Sequence, residues 1–496
     1  MERPLGPACL TCREKCRKCD RSRPTCQRCM SKGLVCGGYP EQFRFCGIAS
    51  RGKWRGARAP VRNRGQECIE LPSPEATPDG DPRSPSIDGI PRVEGRRSHS
   101  GPVDEITALL NAPQSERLLS HYDSFICPHQ IAEIGGSNDN PYRAYILPLA
   151  QKQIGLLYAV LGLSASHLGQ LTKDSQLHQD AAVEYRMRAI RALGQEIRRS
   201  QEESLSEDEQ DAVFAIIQIL LLHDICETGI SSHGIHINGA MSVCKRLLIA
   251  EGLNGQRKRA VFFLGNLAWL DVIRAFAGPE RLCFPQDIRE MVACASSQNF
   301  EMVNGCPREI FTIISGVLEK AKEHTMGWLP WDEYQVGLLL AKHKLYSWDP
   351  KGRSYPTADP RWIYVAEAFQ HACLLRLLRL IDHAKPAQSA DIQECVAKIL
   401  DSTAKIPRDC SLLELLVLPL FMGGTDCLSL HSQYYVLSRF TEIERRSEFC
   451  NPVPADVLRR VWDARASQDG NDNANIDWTT FTHWPGLARQ HDYLII

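Results

Sequence analysis

The chain has 496 residues, of which 43% are hydrophobic, so it can form two or three folded units with buried cores. Its formal net charge is −1, yet residues 1–65 hold 16 lysines and arginines against 4 acidic residues, a net of +12. A basic head on an acidic body is typical of a polyanion-binding segment joined to a separate domain.

The composition also indicates the compartment. The chain starts MERPLGPAC, without the apolar segment of a secretory signal. Its longest apolar runs, residues 213–222 and 412–422, are roughly ten residues long, which suits core helices and is too short to cross a bilayer. We therefore expect a soluble intracellular protein without a membrane partner.

Residues 1–40 form a cysteine-rich module with the spacing C-x2-C-x6-C-x6-C-x2-C-x6-C. Each half brings three thiolates together, whereas zinc prefers four tetrahedral ligands, so two bridging sulfurs would complete two Zn(II) ions per chain. A two-histidine zinc finger is excluded because this window contains no histidine. The predicted metal ligands are Cys9, Cys12, Cys19, Cys26, Cys29 and Cys36.

The segment CLTCREKCRKCDRSRPTCQRCMSKGLVC resembles the DNA-binding module of the fungal binuclear zinc cluster transcription factors. The resemblance rests on the cysteine spacing, a basic run between the second and third cysteines, Asp20 after the third and Pro24 before the fourth. It implies that Cys9 and Cys26 bridge the two ions and that a short basic helix reads CGG-type triplets. Cys16 departs from the family pattern, and we expect it to remain unligated because it lies off the two-half repeat.

The basic side chains of the module are predicted to contact double-stranded promoter DNA. Lys15 and Lys18 are expected to contact base edges, since lysine and arginine read guanine in the major groove. Phosphate contacts, which position the module without specifying sequence, are assigned to Arg13, Arg17 and Arg28. Gly33 is expected to end the second helix of the module.

The resemblance implies a nuclear, pathway-specific regulator of RNA polymerase II genes. Catabolic, drug-response and secondary-metabolite pathways all remain open.

Residues 41–104 are predicted to connect the module to the rest of the chain. A basic extension over 41–65 could serve as a nuclear import signal, as a phosphate-binding arm or simply as solvated charge. Residues 66–104 contain seven prolines among serine, aspartate and glycine, and we expect a disordered linker. No sustained apolar heptad occurs over 41–110, so a coiled-coil dimer is not supported.

Residues 105–496 are predicted to be an all-α regulatory domain, because helical periodicity dominates and alternating strand patterns are nearly absent. Ser206 to Glu209 read as a capping box that opens a helix through Ile225. Similar spacing predicts helices over 240–249, 257–276 and 362–380. The pieces LLSHYDSFICPHQ, HGIHINGAMSVCKRLL, LVLPLFMGGTDCLS and VWDARAS resemble the fungal-specific transcription factor domain. Expected partners are a small-molecule inducer or the transcription machinery, and a homodimer through the helical body is an alternative to a monomer.

We expect no enzymatic activity. His223 beside Asp224, with His233 and His236 nearby, could suggest a metal or acid/base site, but a capped or surface histidine fits His223 better. Another candidate, Asp123 with Cys127 and His129, fits a helix end packed into the core. The chain lacks G-x-S-x-G, a phosphate-binding G-x-x-x-x-G-K and a dinucleotide G-x-G-x-x-G after a strand.

The expected fold is thus a small zinc-stabilised two-helix DNA-binding module, a disordered linker and a large all-α regulatory domain. The competing hypothesis is a zinc-stabilised protein-interaction scaffold without specific DNA readout. The basic run between the second and third cysteines favours DNA binding, because a protein-interaction module would not need it.

Overall fold

The computed structural model describes residues 11–12, 15, 17–20, 22, 25–34 and 36 near the N-terminus. In the rest of the chain it describes 102–132, 140–172, 176–228, 230–231, 237–241, 243–245, 257–295, 297–449, 451–468, 474–482 and 492–493. The predicted extension and linker lie outside the described residues up to 101. The chain divides into two compact units, Met1–Arg97 and Ser98–Ile496.

The first unit contains one short helix, α1 (Gln27–Ser31), among its described residues. Thr11 and Cys12 are also helical, and the Lys15 amide donates to the Thr11 carbonyl at 3.2 Å, which closes a turn. After the C-cap residue Lys32, Gly33 has φ +59°, a left-handed conformation that glycine adopts without a Cβ penalty. The predicted end of this helix at Gly33 is confirmed.

The second unit is built from helices that pack on one another. Its α-helices are α2 (Pro102–Leu110), α3 (Pro113–His121), α4 (Cys127–His129), α5 (Leu147–Ala150), α6 (Ile154–Leu171), α7 (Gln176–Glu202), α8 (Glu207–Thr228), α9 (Lys258–Ala277), α10 (Gln286–Ala295), α11 (Ser297–Asn304), α12 (Arg308–Thr325), α13 (Trp331–Ser347), α14 (Trp362–Ile381), α15 (Ala390–Ala404), α16 (Val417–Thr425), α17 (Leu430–Ser447) and α18 (Val453–Ala466).

The predicted capping box at the start of α8 is confirmed. The Ser206 amide donates to Glu209 Oε2 at 2.8 Å, and the Glu209 amide donates back to Ser206 Oγ at 3.4 Å. The helix continues to Thr228, three residues beyond the predicted end. The predicted helices over 257–276 and 362–380 match α9 and α14 to within one residue at each end. The helix predicted over 240–249 is helical where it is described, at 237–241 and 243–245.

Two helices, α6 and α9, form the centre of the core. Most of α6 and every residue of α9 from Ala260 onward are buried. Both are long and apolar enough to cross a membrane by length and composition, but they pack inside the domain, as core helices of globular proteins do. The expectation that no apolar segment is long enough to cross a bilayer considered only uninterrupted runs, and polar residues such as His167 and Asn266 interrupt these two helices. Gly155 lets α6 approach α7 closely, since a Cβ there would lie 2.8 Å from the Cβ of Ala192.

The all-α prediction is confirmed, with one small exception. Ile230 and Ser231 pair antiparallel with Tyr493 and Asp492, a two-residue pairing that ties a C-terminal segment to the end of α8. Two five-residue π-helical turns, Tyr122–Ile126 and Tyr142–Ile146, widen the helical path. Such turns are rare and often occur at functional sites, and periodicity in the sequence did not predict them.

Candidate metal and DNA-binding site

Three cysteine sulfurs converge in the N-terminal unit. Cys12 Sγ lies 3.7 Å from Cys26 Sγ and 3.9 Å from Cys29 Sγ, and all three side chains are buried. These distances exclude a disulfide, whose sulfurs are about 2.05 Å apart. They bracket the edge of a tetrahedron of sulfurs around zinc, which is about 3.8 Å for a Zn–S distance of about 2.3 Å. The chemistry and spacing of these thiols therefore fit a zinc ion.

Cys26 belongs to two ligand groups at once. Its sulfur shares one group with Cys12 and Cys29 and another with Cys19 and the Asp20 carboxylate, and within each group the candidate ligand atoms lie within 4.8 Å of one another. The Cys29 amide also donates to Cys26 Sγ at 3.3 Å, a contact that stabilises a thiolate. A sulfur shared between two groups is the arrangement that a bridging ligand requires.

For the remaining predicted ligands, the structure gives packing contacts or no description. Cys36 is half-buried and packs, together with Cys19 and Leu34, against the three buried cysteines. Cys9, the other predicted bridging ligand, and Cys16 lie outside the described residues. The described part of the module thus brings five of the six predicted ligands into one small cluster.

Four of the five residues predicted to contact DNA lie in the described part of the module. Lys15, Arg17 and Lys18 are exposed, and Arg28 is half-buried on α1. Arg13 lies outside the described residues. The Arg17 amide donates to the Cys12 carbonyl at 2.8 Å, so the basic segment is tied by its backbone to a predicted metal ligand.

Asp20 holds the second half of the module to the first. Its carboxylate accepts hydrogen bonds from the Gln27 amide at 3.1 Å and the Arg28 amide at 3.3 Å, so it caps α1 from seven residues upstream. The hydroxyl of Ser22 also donates to it. This hydrogen bond and those from the two amides keep the pKa of Asp20 well below its usual range. The sequence places Asp20 in the family pattern but gives no sign of its capping role, because the cap and the helix are seven residues apart.

Replacing Asp20 with alanine is expected to lower the zinc affinity of the full chain by about 10-fold, as for other groups that orient metal ligands. The physical reason is that α1 carries Cys29 and begins directly after Cys26, so losing the cap loosens both sulfurs. Competition with a chromogenic chelator measures the change. Asp20→Asn keeps one acceptor oxygen and should lose less, whereas an unchanged affinity in Asp20→Ala would contradict this role.

His223, the histidine candidate in the second unit, was expected to be capped or at the surface, and the surface alternative is wrong. His223 is 1% exposed, and its Nε2 lies 3.0 Å from Glu227 Oε1. Burial lowers the pKa of His223 and favours the neutral ring. Arg186 on α7 pairs with both Asp224 and Glu227, so the group is an ion-paired contact between α7 and α8. His233 and His236 lie outside the described residues.

The three residues of the second catalytic candidate, Asp123, Cys127 and His129, have separate environments in the structure. Cys127 is fully buried, Asp123 pairs with Arg143, and His129 Nδ1 lies 3.2 Å from Glu414 Oε1. The expectation that this segment is a helix end packed into the core is confirmed for Cys127. Because the three side chains have different partners, they do not form a nucleophile with its base.

Comparison with known families covers most of the chain. The family described as "Fungal Zn(2)-Cys(6) binuclear cluster domain" matches residues 7–45, and "Fungal specific transcription factor domain" matches residues 117–496. Neither family is a family of enzymes. No curated protein and no solved structure matches the chain. The chain therefore belongs to the fungal zinc cluster transcription factors, which join a zinc-binding, DNA-binding module to a helical fungal-specific transcription factor domain.

Proposed function

We propose that this protein is a sequence-specific nuclear regulator of RNA polymerase II genes that reads CGG-type triplets in the major groove. The observation that carries the proposal is the sulfur of Cys26, which belongs to two ligand groups beside the exposed Lys15 and Lys18. We propose two zinc ions per chain, bridged by Cys9 and Cys26.

The zinc ions supply cross-links in this proposal, and the basic side chains supply recognition. Two zinc ions and six thiolates carry a net charge of −2, which repels phosphate. Nine lysines and arginines within residues 1–36 reverse that charge. Lys15 and Lys18 contact base edges, whereas Arg13, Arg17 and Arg28 bind phosphates. The proposed target is a promoter of one pathway, with catabolic, drug-response and secondary-metabolite genes as the classes to test.

The salt dependence of DNA binding distinguishes this function from the alternative, a zinc-stabilised interaction scaffold without DNA readout. If about five phosphates are neutralised, log K is expected to fall with log salt at a slope of roughly −4.5. Selection of the full chain on random duplexes is expected to enrich CGG triplets. A slope near zero without sequence enrichment would instead support the scaffold.

The regulatory domain offers a surface for a homodimer. Helix α13 packs against α12 and α14 through one apolar face. Its opposite face is also apolar, and there Val336, Leu339 and Leu340 are each more than half exposed. These positions follow helical spacing and form a continuous stripe. The buried face of α13 consists of Tyr334, Leu338, Ala341 and Leu345.

Charge complementarity supports a second copy of the chain as the occupant of this stripe. The exposed Asp332 and Glu333 lie in the first turn of α13, and the exposed Lys344 lies in its last turn. Antiparallel pairing about a two-fold axis places the acidic end of one helix opposite the basic end of the other, with Val336 opposite Leu340 of the second copy. We propose that the protein dimerises in this way, since the sequence over 41–110 shows no sustained apolar heptad for a coiled-coil dimer.

Charge exchange within α13 tests the dimer. The full chain is expected to have the mass of a dimer by light scattering, and Leu340→Glu is expected to make it a monomer, because a buried unpaired charge is costly. Lys344→Glu should weaken the dimer, and adding Asp332→Lys should restore it. Leu430→Glu, a similarly exposed leucine on α17, is the matched control and should remain dimeric. A monomeric wild-type chain, or a dimeric Leu340→Glu variant, would contradict the interface.

A further inference from the structure

The regulatory domain contains a cavity of about 200 Å³ whose walls come from widely separated parts of the chain. It lies between the segment that follows α4, the helices α8, α9 and α17, and the turn before α16. For comparison, an apolar cavity of about 150 Å³ admits benzene. The space therefore suits a single-ring organic molecule.

Two buried amide side chains line this cavity, and each has polar atoms that form no hydrogen bond of normal geometry with the described residues. The Gln130 side chain is 8% exposed; the Tyr122 hydroxyl lies close to it, but neither its oxygen nor its nitrogen forms a hydrogen bond of normal geometry with the described residues. Gln218, 1% exposed, donates its Nε2 to Tyr142 Oη at 3.1 Å, but its Oε1 has no partner in the described part of the chain. Buried amides are normally satisfied, so these atoms indicate that something else occupies the space.

Tyr142 adds a donor to the same wall. Its hydroxyl oxygen accepts from Gln218 and from Asn266 Nδ2 at 3.4 Å, so the hydroxyl proton remains to be donated. Trp269 and Leu270 on α9 and Phe440 on α17 supply apolar surface to the cavity. A ligand that fits has an apolar ring and one group that both donates and accepts hydrogen bonds.

The charged side chains around the cavity disfavour the binding of an anionic ligand. The Glu414 carboxylate pairs with Arg446 and lies 3.2 Å from His129 Nδ1, so the arginine charge near the cavity is already compensated. Glu444 also lines the cavity and forms no ion pair with the described residues, and desolvation raises its pKa. A bound carboxylate or phosphate would approach this second carboxyl group, and the described cavity wall offers no free cation to compensate it.

We propose that the cavity is the effector site of the regulatory domain and that it binds a small neutral molecule with an amide-type group on an aromatic or aliphatic ring. The amide of the ligand bonds with Gln130, Gln218 and Tyr142, and its ring packs against Trp269 and Leu270. This inference goes beyond the proposed DNA-reading function and gives a site and a ligand class to the small-molecule inducer expected as a partner of this domain. It makes no use of the metal module.

Benzamide and benzoate are matched probes, because they have the same size and shape and differ in charge. Ligand-observed NMR with the full zinc-loaded chain is expected to show benzamide binding, with a Kd of about 1 mM, which suits so small a ligand. Benzoate is expected to bind at least about 10-fold more weakly, since a tenfold ratio corresponds to the loss of one good contact. Equal or tighter binding of benzoate, or no binding of either probe, would overturn the proposal.

Two variants locate the binding. Gln218→Leu removes the unpartnered oxygen and is expected to abolish the preference for benzamide, whereas Ala132→Leu adds bulk to the cavity lining and is expected to abolish binding of both probes. Unchanged benzamide binding in both variants would contradict the site. Zinc content and DNA affinity are measured on the same samples. Absence of probe binding in a wild-type chain that retains both counts only against the cavity, whereas loss of zinc or DNA binding in the wild type counts against the proposed function.

Discussion

Substitution of Cys26 by alanine is expected to remove both zinc ions, unfold the N-terminal module and abolish DNA binding. The expectation follows from the position of its sulfur, which lies in both ligand groups, whereas Cys12 and Cys29 lie in only one. Binding of a structural zinc supplies on the order of 10 kcal/mol of folding free energy in modules of this kind. Losing two ions therefore leaves the module without the interaction that folds it, since its described helix α1 is only five residues long.

Elemental analysis and circular dichroism of the full-length variant measure this effect. Cys16→Ser is the matched control, because Cys16 lies within the same module but off the ligand spacing, and it should retain two zinc ions per chain. The helical signal of the regulatory domain should persist in both variants, since that domain is a separate compact unit. A Cys26→Ala protein that kept one zinc ion and bound DNA would show that Cys26 does not bridge.

The paired change Lys15→Glu and Lys18→Glu is expected to weaken specific DNA binding by at least about 1,000-fold while leaving the zinc content at two. Each base contact in the major groove contributes about 1–3 kcal/mol of discrimination, and reversing two charges adds phosphate repulsion. Both side chains are exposed, so the substitutions should not disturb the folded module. Electrophoretic mobility shifts on a CGG-containing duplex, with a scrambled duplex beside it, measure the loss.

Lys32→Glu is the comparison variant for this pair. Lys32 is an exposed cation that follows α1 in the same module, and it has no predicted base contact. It should lower affinity for specific and scrambled duplexes alike, and by a much smaller factor. Normal affinity in the Lys15 and Lys18 double variant would remove the assignment of base contacts.

The metal module was predictable because its chemistry is local. All six predicted ligands fall within 28 residues, and zinc accepts few coordination geometries, so cysteine spacing alone indicates the site. The long helices were predictable for a similar reason. The capping box at Ser206 and the 3.6-residue period of α9 and α14 are signals within one segment, and the structure confirms them to within a few residues.

Features that depend on distant partners were not predictable. His223 follows an apolar run in the sequence, but its burial and its contact with Glu227 depend on how α8 packs against α7. The cap on α1 comes from Asp20, outside the helix, and no local pattern reveals it. The cavity is the clearest case, because His129 and Glu414, which meet at its edge, are 285 residues apart. Such sites arise from tertiary packing and leave no periodic trace in the sequence.

The zinc-to-protein ratio of the purified wild-type chain tests the account most directly. The chain is isolated without added metal, and its sulfur and zinc contents are measured together, so that the 20 cysteines and 8 methionines serve as an internal standard for protein concentration. Two zinc ions per chain are expected, with both lost on Cys26→Ala. One zinc ion per chain, or none, in a protein that still binds DNA specifically would contradict the shared-sulfur cluster and the DNA-reading surface built on it.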